Sequence, residues 1–151
     1  MQTVNRDLVI YGLDVDDSEA AIRTIGARLF EKGFVRDTYV DAVSEREKEY
    51  PTGLQLESMG VAMPHTTGAH VITPAVCVVK PAKPVMFKHM GTIEPEVQAE
   101  MIFMMAIKDP NAQLETLQKM MSVFTNAEAM TAFRAASSEE ELWEAALKYI
   151  G

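Results

Sequence analysis

Hydrophobic positions change their spacing along this chain, and the changes mark out its elements. Leu8-Val9-Ile10-Tyr11, opened by Asp7 and closed by Gly12, predicts a first strand. Asp16-Asp17-Ser18-Glu19 then supplies capping side chains and early acids for a helix. Ile22, Ile25, Gly26 and Leu29 follow at i, i+3, i+4, i+7, and Gly33 is placed to stop it. Asp37 is placed to cap a second helix through Glu49, with Tyr39, Val40 and Val43 inward. Its far end, Ser44-Glu45-Arg46-Glu47-Lys48-Glu49, reads as a solvated helix end with pairs at i,i+3 and i,i+4. Tyr50-Pro51-Thr52-Gly53 breaks that helix.

Short strand-like runs fill the middle: Leu54–Leu56, Val61–Met63, the β-branched Ala75–Val79, and Val85–Phe87, with a break at Gly91–Pro95. Glu100 to Ile107 is apolar almost throughout, as suits a central strand buried on both faces, with Met101, Met104 and Met105 as core filler. Three helical patterns close the chain. Asp109-Pro110 opens one, with Leu114, Leu117, Met121 and Phe124 as its inner face. Thr125 with Glu128 forms a capping box for a short helix carrying Met130 and Phe133. Ser137 with Glu140 forms another, before a last helix with Leu142, Ala145, Ala146 and Tyr149 inward and Trp143 off that face. No repeat or linker interrupts this order. Residues 1–151 therefore read as a single α/β domain, a mixed central β-sheet flanked by helices on both faces.

Composition narrows the function. A net charge of −8 argues against nucleic-acid binding and tolerates a basic protein partner. One cysteine, Cys77, excludes an intrachain disulfide and fits a reducing compartment. Met1-Gln2-Thr3-Val4-Asn5-Arg6 lacks the apolar region of a signal peptide, and no run reaches the ~20 apolar residues of a membrane span. A cytoplasmic protein is expected, with no direct membrane insertion.

The chemistry is sparse. The three histidines are His65, His70 and His89. His65 and His70 do not share a helix face, and no Cys or His cluster completes a zinc set, so no metal is expected. Phosphate-cradling glycine loops and the serine-hydrolase elbow are absent, and no cofactor is expected. Cys77 lies mid-strand and reads as a small core hydrophobe. What remains is Gly60-Val61-Ala62-Met63-Pro64-His65-Thr66-Thr67-Gly68. Pro64 stops a short buried strand, and His65 is the first residue past its end, where chemistry gathers in α/β proteins. A helical turn starting there would aim free N–H groups at an anion carried by His65. A neutral imidazole is a competent nucleophile toward phosphorus once its other nitrogen is held as a donor. A guanidinium nearby would stabilise the transferring oxygens. Only one break and two short strands separate Arg46 from His65, so both can reach one edge of the sheet.

Arg46-Glu47-Lys48-Glu49-Tyr50-Pro51-Thr52-Gly53-Leu54, followed by Val61-Ala62-Met63-Pro64-His65, resembles the R-E-x-x-x-P-T-G-L … [IV]-A-[IVM]-P-H pattern of enzyme IIA. This is the fructose–mannitol class of the phosphoenolpyruvate-dependent sugar phosphotransferase system, and the PTGLQLE stretch is most similar to its galactitol-type branch. The resemblance runs from Leu8 to about Leu147. It implies a phosphotransferase component of sugar or sugar-alcohol transport. In that role His65 takes a phosphoryl group through Nε2 from the phosphocarrier HPr and passes it to a cysteine of the cognate enzyme IIB. Arg46 then neutralises the group in transit, and the membrane subunit IIC is met only indirectly. Some mannitol-type members carry a second active-site histidine early in the helix after the long strand. Asn111-Ala112-Gln113-Leu114 stands there instead, and Gln113 offers a hydrogen bond without a titrating ring. The alternative reading is a regulatory, nitrogen-type phosphoprotein of the same family. Met59, Val61 and Met63, with the proline-rich surface near Pro81 and Pro84, are candidates for an apolar docking face, Met63 being the one best read as core.

Overall fold

The computed structural model describes residues 4–91 and 96–151, so the break at Gly91–Pro95 lies outside the described residues beyond Gly91. The elements are β1 (Val4–Leu13), α1 (Ser18–Glu31), α2 (Tyr39–Glu49), β2 (Gly53–Gln55), β3 (Gly60–Ala62), β4 (Ala75–Pro81), β5 (Val85–Lys88), β6 (Glu96–Ala106), α3 (Pro110–Phe124), α4 (Ala127–Ala135) and α5 (Glu139–Tyr149). They form one six-stranded mixed sheet in the order β1-β4-β6-β3-β2. β1 runs parallel to β4 and β3 parallel to β6, whereas β4 and β6 are antiparallel. β5 takes up the edge of β6 that β4 leaves: Ile102 faces Val79 and Ala99 faces Val85, while both also pair with β3 on the other side.

Strand alternation explains why the centre is apolar throughout. Ala75, Cys77 and Val79 of β4, with Ile102, Met104 and Ala106 of β6, face α1 and α2. Val76 and Val78, with Met101, Phe103 and Met105, face α3, α4 and α5. Both faces are covered, so neither strand needs a polar side. Phe103 packs against Phe124 and Phe133 at ring separations of 5.5 and 5.6 Å, joining β6 to α3 and α4. At the head of α2, the buried Tyr39 hydroxyl donates to the Met105 carbonyl at 2.6 Å and ties that helix to β6.

The two-sided α/β architecture is as the sequence predicts, and the differences are local. β1 is longer than the apolar run and continues through Gly12, with a register shift at that point. α2 is capped at Thr38, not Asp37, and without a side-chain bond. Asn126 caps α4 in place of Thr125, accepting from Glu128 and Ala129 N–H. Ser138 caps α5, while Ser137 one place earlier is bound by the Glu141 carboxylate. The buried face of α3 is Met120, Val123 and Phe124, whereas Leu114 and Met121 are exposed and Leu117 is half-buried.

Candidate functional site

Pairing along β6 sets the position of His65. β3 ends at Ala62, but Met105 N–H still donates to the Pro64 carbonyl at 3.0 Å, so the chain follows β6 to its carboxyl end before it turns away. A short 3-10 turn, Gly68–His70, begins just beyond. Gly68 lies so close to the β6–α3 connection that an added Cβ would stand 1.8 Å from the Lys108 carbonyl oxygen. Only glycine permits that approach, and it docks the His65 loop against the strand end.

His65 is half-buried, and its Nδ1 lies 2.8 Å from the Met63 carbonyl. A carbonyl only accepts, so Nδ1 is the protonated nitrogen and the neutral ring keeps its lone pair on Nε2. Burial lowers the imidazole pKa below its ordinary value, and the Arg46 charge lowers it further; the Met63 bond acts the other way. Neutral imidazole is thereby favoured near neutral pH. His70 Nδ1 meets Thr38 Oγ1 at 2.7 Å, and His89 Nδ1 donates to the Met90 carbonyl. Neither of those two rings lines the cavity that His65 faces.

That cavity has a volume of about 550 Å³ and brings Arg46 and His65 together with Tyr50, Thr52, Met63, Met90 and Leu117. Another cavity of about 520 Å³ near Met130 and Arg134 is similar in size but is lined without histidine or cysteine. Chemistry, more than volume, separates the two. Arg46 sits in the last turn of α2 with its guanidinium 5.1 Å from the centroid of the Tyr50 ring. Its Nε is buried, and among the described residues it has no hydrogen-bond partner and Arg46 no ion pair. An unsatisfied buried donor is costly, and it suits a site that awaits an anion.

Gln113 is half-buried in the first turn of α3 but is not among the residues lining the cavity; Leu117, one turn later, is. Cys77 is fully buried with its thiol pushed up to about 12 by burial, which leaves it an inert core side chain. Met59, Val61 and Met63 are buried as well, and Pro81 with them, so of the expected docking face only Pro84 is exposed and the rest is core. Tyr50 and Met90 are exposed apolar side chains of the cavity wall, and on α3 Leu114 and Met121, on the same helical stripe as the cavity-lining Leu117, are exposed too. Glu47 departs furthest from expectation. It is only 9% exposed, and both its oxygens accept from Thr52. The charged run hid it, and the one available signal was its place beside Arg46 in the motif.

The family model described as "Phosphoenolpyruvate-dependent sugar phosphotransferase system, EIIA 2" matches residues 2–149. The chain belongs to the EIIA 2 family. That makes it a component of the phosphotransferase-system type, and this EIIA 2 chain shares 29% identity over 107 residues with the galactitol-specific EIIA component of Escherichia coli K12, covering 71% of each. Among solved structures it resembles enzyme IIAMTL in complex with phosphorylated enzyme IIBMTL from Escherichia coli, at TM-score 0.77 and 20% identity over 98% of this chain and 99% of that one. It also resembles the nitrogen regulatory protein IIA-Ntr of Neisseria meningitidis, at TM-score 0.69 and 18% identity over 94% of each. No helix among the described residues is long and apolar enough to cross a membrane.

Proposed function

We propose that His65 Nε2 accepts a phosphoryl group from phospho-HPr and passes it to a cysteine of a cognate enzyme IIB. The observation that carries this reading is the Nδ1 bond to the Met63 carbonyl at 2.8 Å, which leaves the lone pair on Nε2. In the first step a bond forms from Nε2 to phosphorus as the P–N bond of the donor histidine breaks. In the second, the partner's thiolate attacks phosphorus and the lone pair returns to Nε2. Neither step needs a proton taken from carbon or an activated water, so positioning and charge stabilisation suffice. Arg46 supplies the charge, and its Nε–H, without a partner among the described residues, supplies a donor. The exposed Tyr50 and Met90 at the cavity, with Leu114 and Met121 on the α3 stripe that Leu117 shares, give an apolar surface on which two partners dock in turn. The sugar or sugar alcohol, galactitol by the similarity above, is met only by the membrane subunit.

Incubation with enzyme I, HPr and labelled phosphoenolpyruvate tests the reading. Acid-labile, base-stable label is expected on the wild type and none on His65→Ala. No label on the wild type rules out the relay. Label that survives His65→Ala assigns it to another residue.

A further inference from the structure

Arg46 and Glu47 are neighbours in sequence yet face different ways, because consecutive helical residues point about 100° apart. Arg46 lines the His65 cavity. Glu47 turns to the chain that follows the helix: its Oε2 accepts Thr52 N–H at 2.8 Å and its Oε1 accepts the Thr52 hydroxyl at 2.7 Å. Between them the chain reverses over Tyr50 and Pro51, with Tyr50 N–H bonded to the Arg46 carbonyl. Thr52 is itself 4% exposed, and the next residue, Gly53, accepts from Met90 N–H at 2.7 Å. The clasp therefore closes a loop whose Tyr50 ring lies against the Arg46 guanidinium.

We infer that Glu47 is a positioning residue for phosphoryl transfer: by holding Thr52 with both carboxylate oxygens it fixes the Tyr50–Thr52 loop, and through Tyr50 the direction of the Arg46 guanidinium. The two hydrogen bonds also keep the carboxylate from folding back onto Arg46, whose charge stays available to the phosphoryl group. A burial this deep is expensive for a carboxylate, and burial pushes the Glu47 carboxyl up to about 7 despite the Thr52 bonds and the Arg46 charge. The other charged groups around it, Glu19, Lys48 and Lys88, line a small cavity on its far side, and none forms an ion pair with it among the described residues. A side chain so costly and so fully engaged with one loop has a task in that loop.

The inference rests on the relay reading, and its test separates the two. Single-turnover transfer from phospho-HPr is measured for Glu47→Gln, Thr52→Val and Thr52→Ser, each on the wild-type and Arg46→Ala backgrounds. On the wild-type background Glu47→Gln is expected to slow the transfer step about 10- to 100-fold with little change in the concentration of HPr needed, since misplacement of a catalytic group by about 1 Å has effects of that size. Thr52→Val shares part of the loss, and Thr52→Ser, which keeps both bonds, restores the wild-type rate. On the Arg46→Ala background Glu47→Gln costs less than about twofold, because the residue it positions is gone. A wild-type rate for Glu47→Gln, or an equal loss on both backgrounds, overturns the inference. If Glu47→Gln fails to fold, the Thr52 pair makes the same comparison. If the wild type takes no label, the relay reading has failed, and the Arg46 Nε–H resonance in the free protein decides positioning alone. That signal is expected to move in Thr52→Val and not in Thr52→Ser; an unmoved signal in Thr52→Val overturns it.

Discussion

Of the cations at the carboxyl ends of helices, Lys80 and Arg46 are treated in opposite ways. Lys80 reaches from β4 to the end of α4, where its ammonium donates to the carbonyls of Phe133, Arg134 and Ala136 at 3.0, 2.7 and 2.8 Å. All three of its N–H donors are used, and they satisfy two of the last carbonyls of the helix and that of the capping Ala136. Arg46 lies in the last turn of α2, yet its buried Nε donates to nothing among the described residues. Both side chains are half-buried, but only Lys80 has its donors matched among the described residues. A satisfied cation holds the fold together, whereas on the proposed relay the unsatisfied one beside His65 meets the phosphoryl group.

The sharpest way to break the comparison is to remove each cation. Arg46→Ala should slow transfer to His65 by about 100-fold or more, the usual cost of deleting a preorganised donor, and should leave the urea midpoint near the wild type. Lys80→Met should do the reverse, costing about 1–3 kcal/mol in urea unfolding while the folded protein transfers at the wild-type rate. Parallel losses of rate and stability in both variants would show that the two cations are not different in kind.

Glu47 offers a smaller test of the same division, read in pH. Its carboxyl rises from 4.5 to about 7 on folding, so between those values the folded chain holds a proton that the unfolded chain releases. Stability from this group therefore falls as pH rises from about 4.5 to about 7 and is flat on either side. Glu47→Gln has no such dependence. Its stability relative to the wild type should improve by about 2–3 kcal/mol between pH 4 and pH 8, measured by urea unfolding at both. A constant difference would mean that the carboxylate is not strained by burial.

Much of this was legible in the residues. The unbroken apolar run of β6 announced a strand with both faces covered, and Pro64 announced where β3 must let go. The misses have physical causes. α3 carries two apolar stripes, Leu114 with Leu117 and Met121, and Met120 with Val123 and Phe124; helical spacing alone cannot say which stripe meets the core and which faces outward. Asn126 and Ser138 stand beside residues of equal capping chemistry, Thr125 and Ser137, so the cap was displaced by one place in each case. Glu47 lay in a run of charges whose ordinary fate is solvent, and its partner Thr52 is reached only after a proline turn. Lys48 with Glu45, from the same run, does form the expected surface pair at 3.4 Å.

The smallest expected effect concerns the far side of the cavity. Gln113 is half-buried at the start of α3, its backbone N–H bonded to the Asp109 carbonyl at 2.9 Å. The cavity wall on that side is made by Leu117, an apolar side chain. If the polar work of the site ends with His65 and Arg46, then Gln113→His should change the single-turnover rate by less than about threefold at pH 7, because a side chain outside the cavity wall adds little beside a guanidinium that lines it. A gain of tenfold or more would show that an imidazole on α3 reaches the phosphoryl group. The unsatisfied region would then extend across the cavity, and the contrast with Lys80 would have to be drawn between two whole ends of the sheet instead of two side chains.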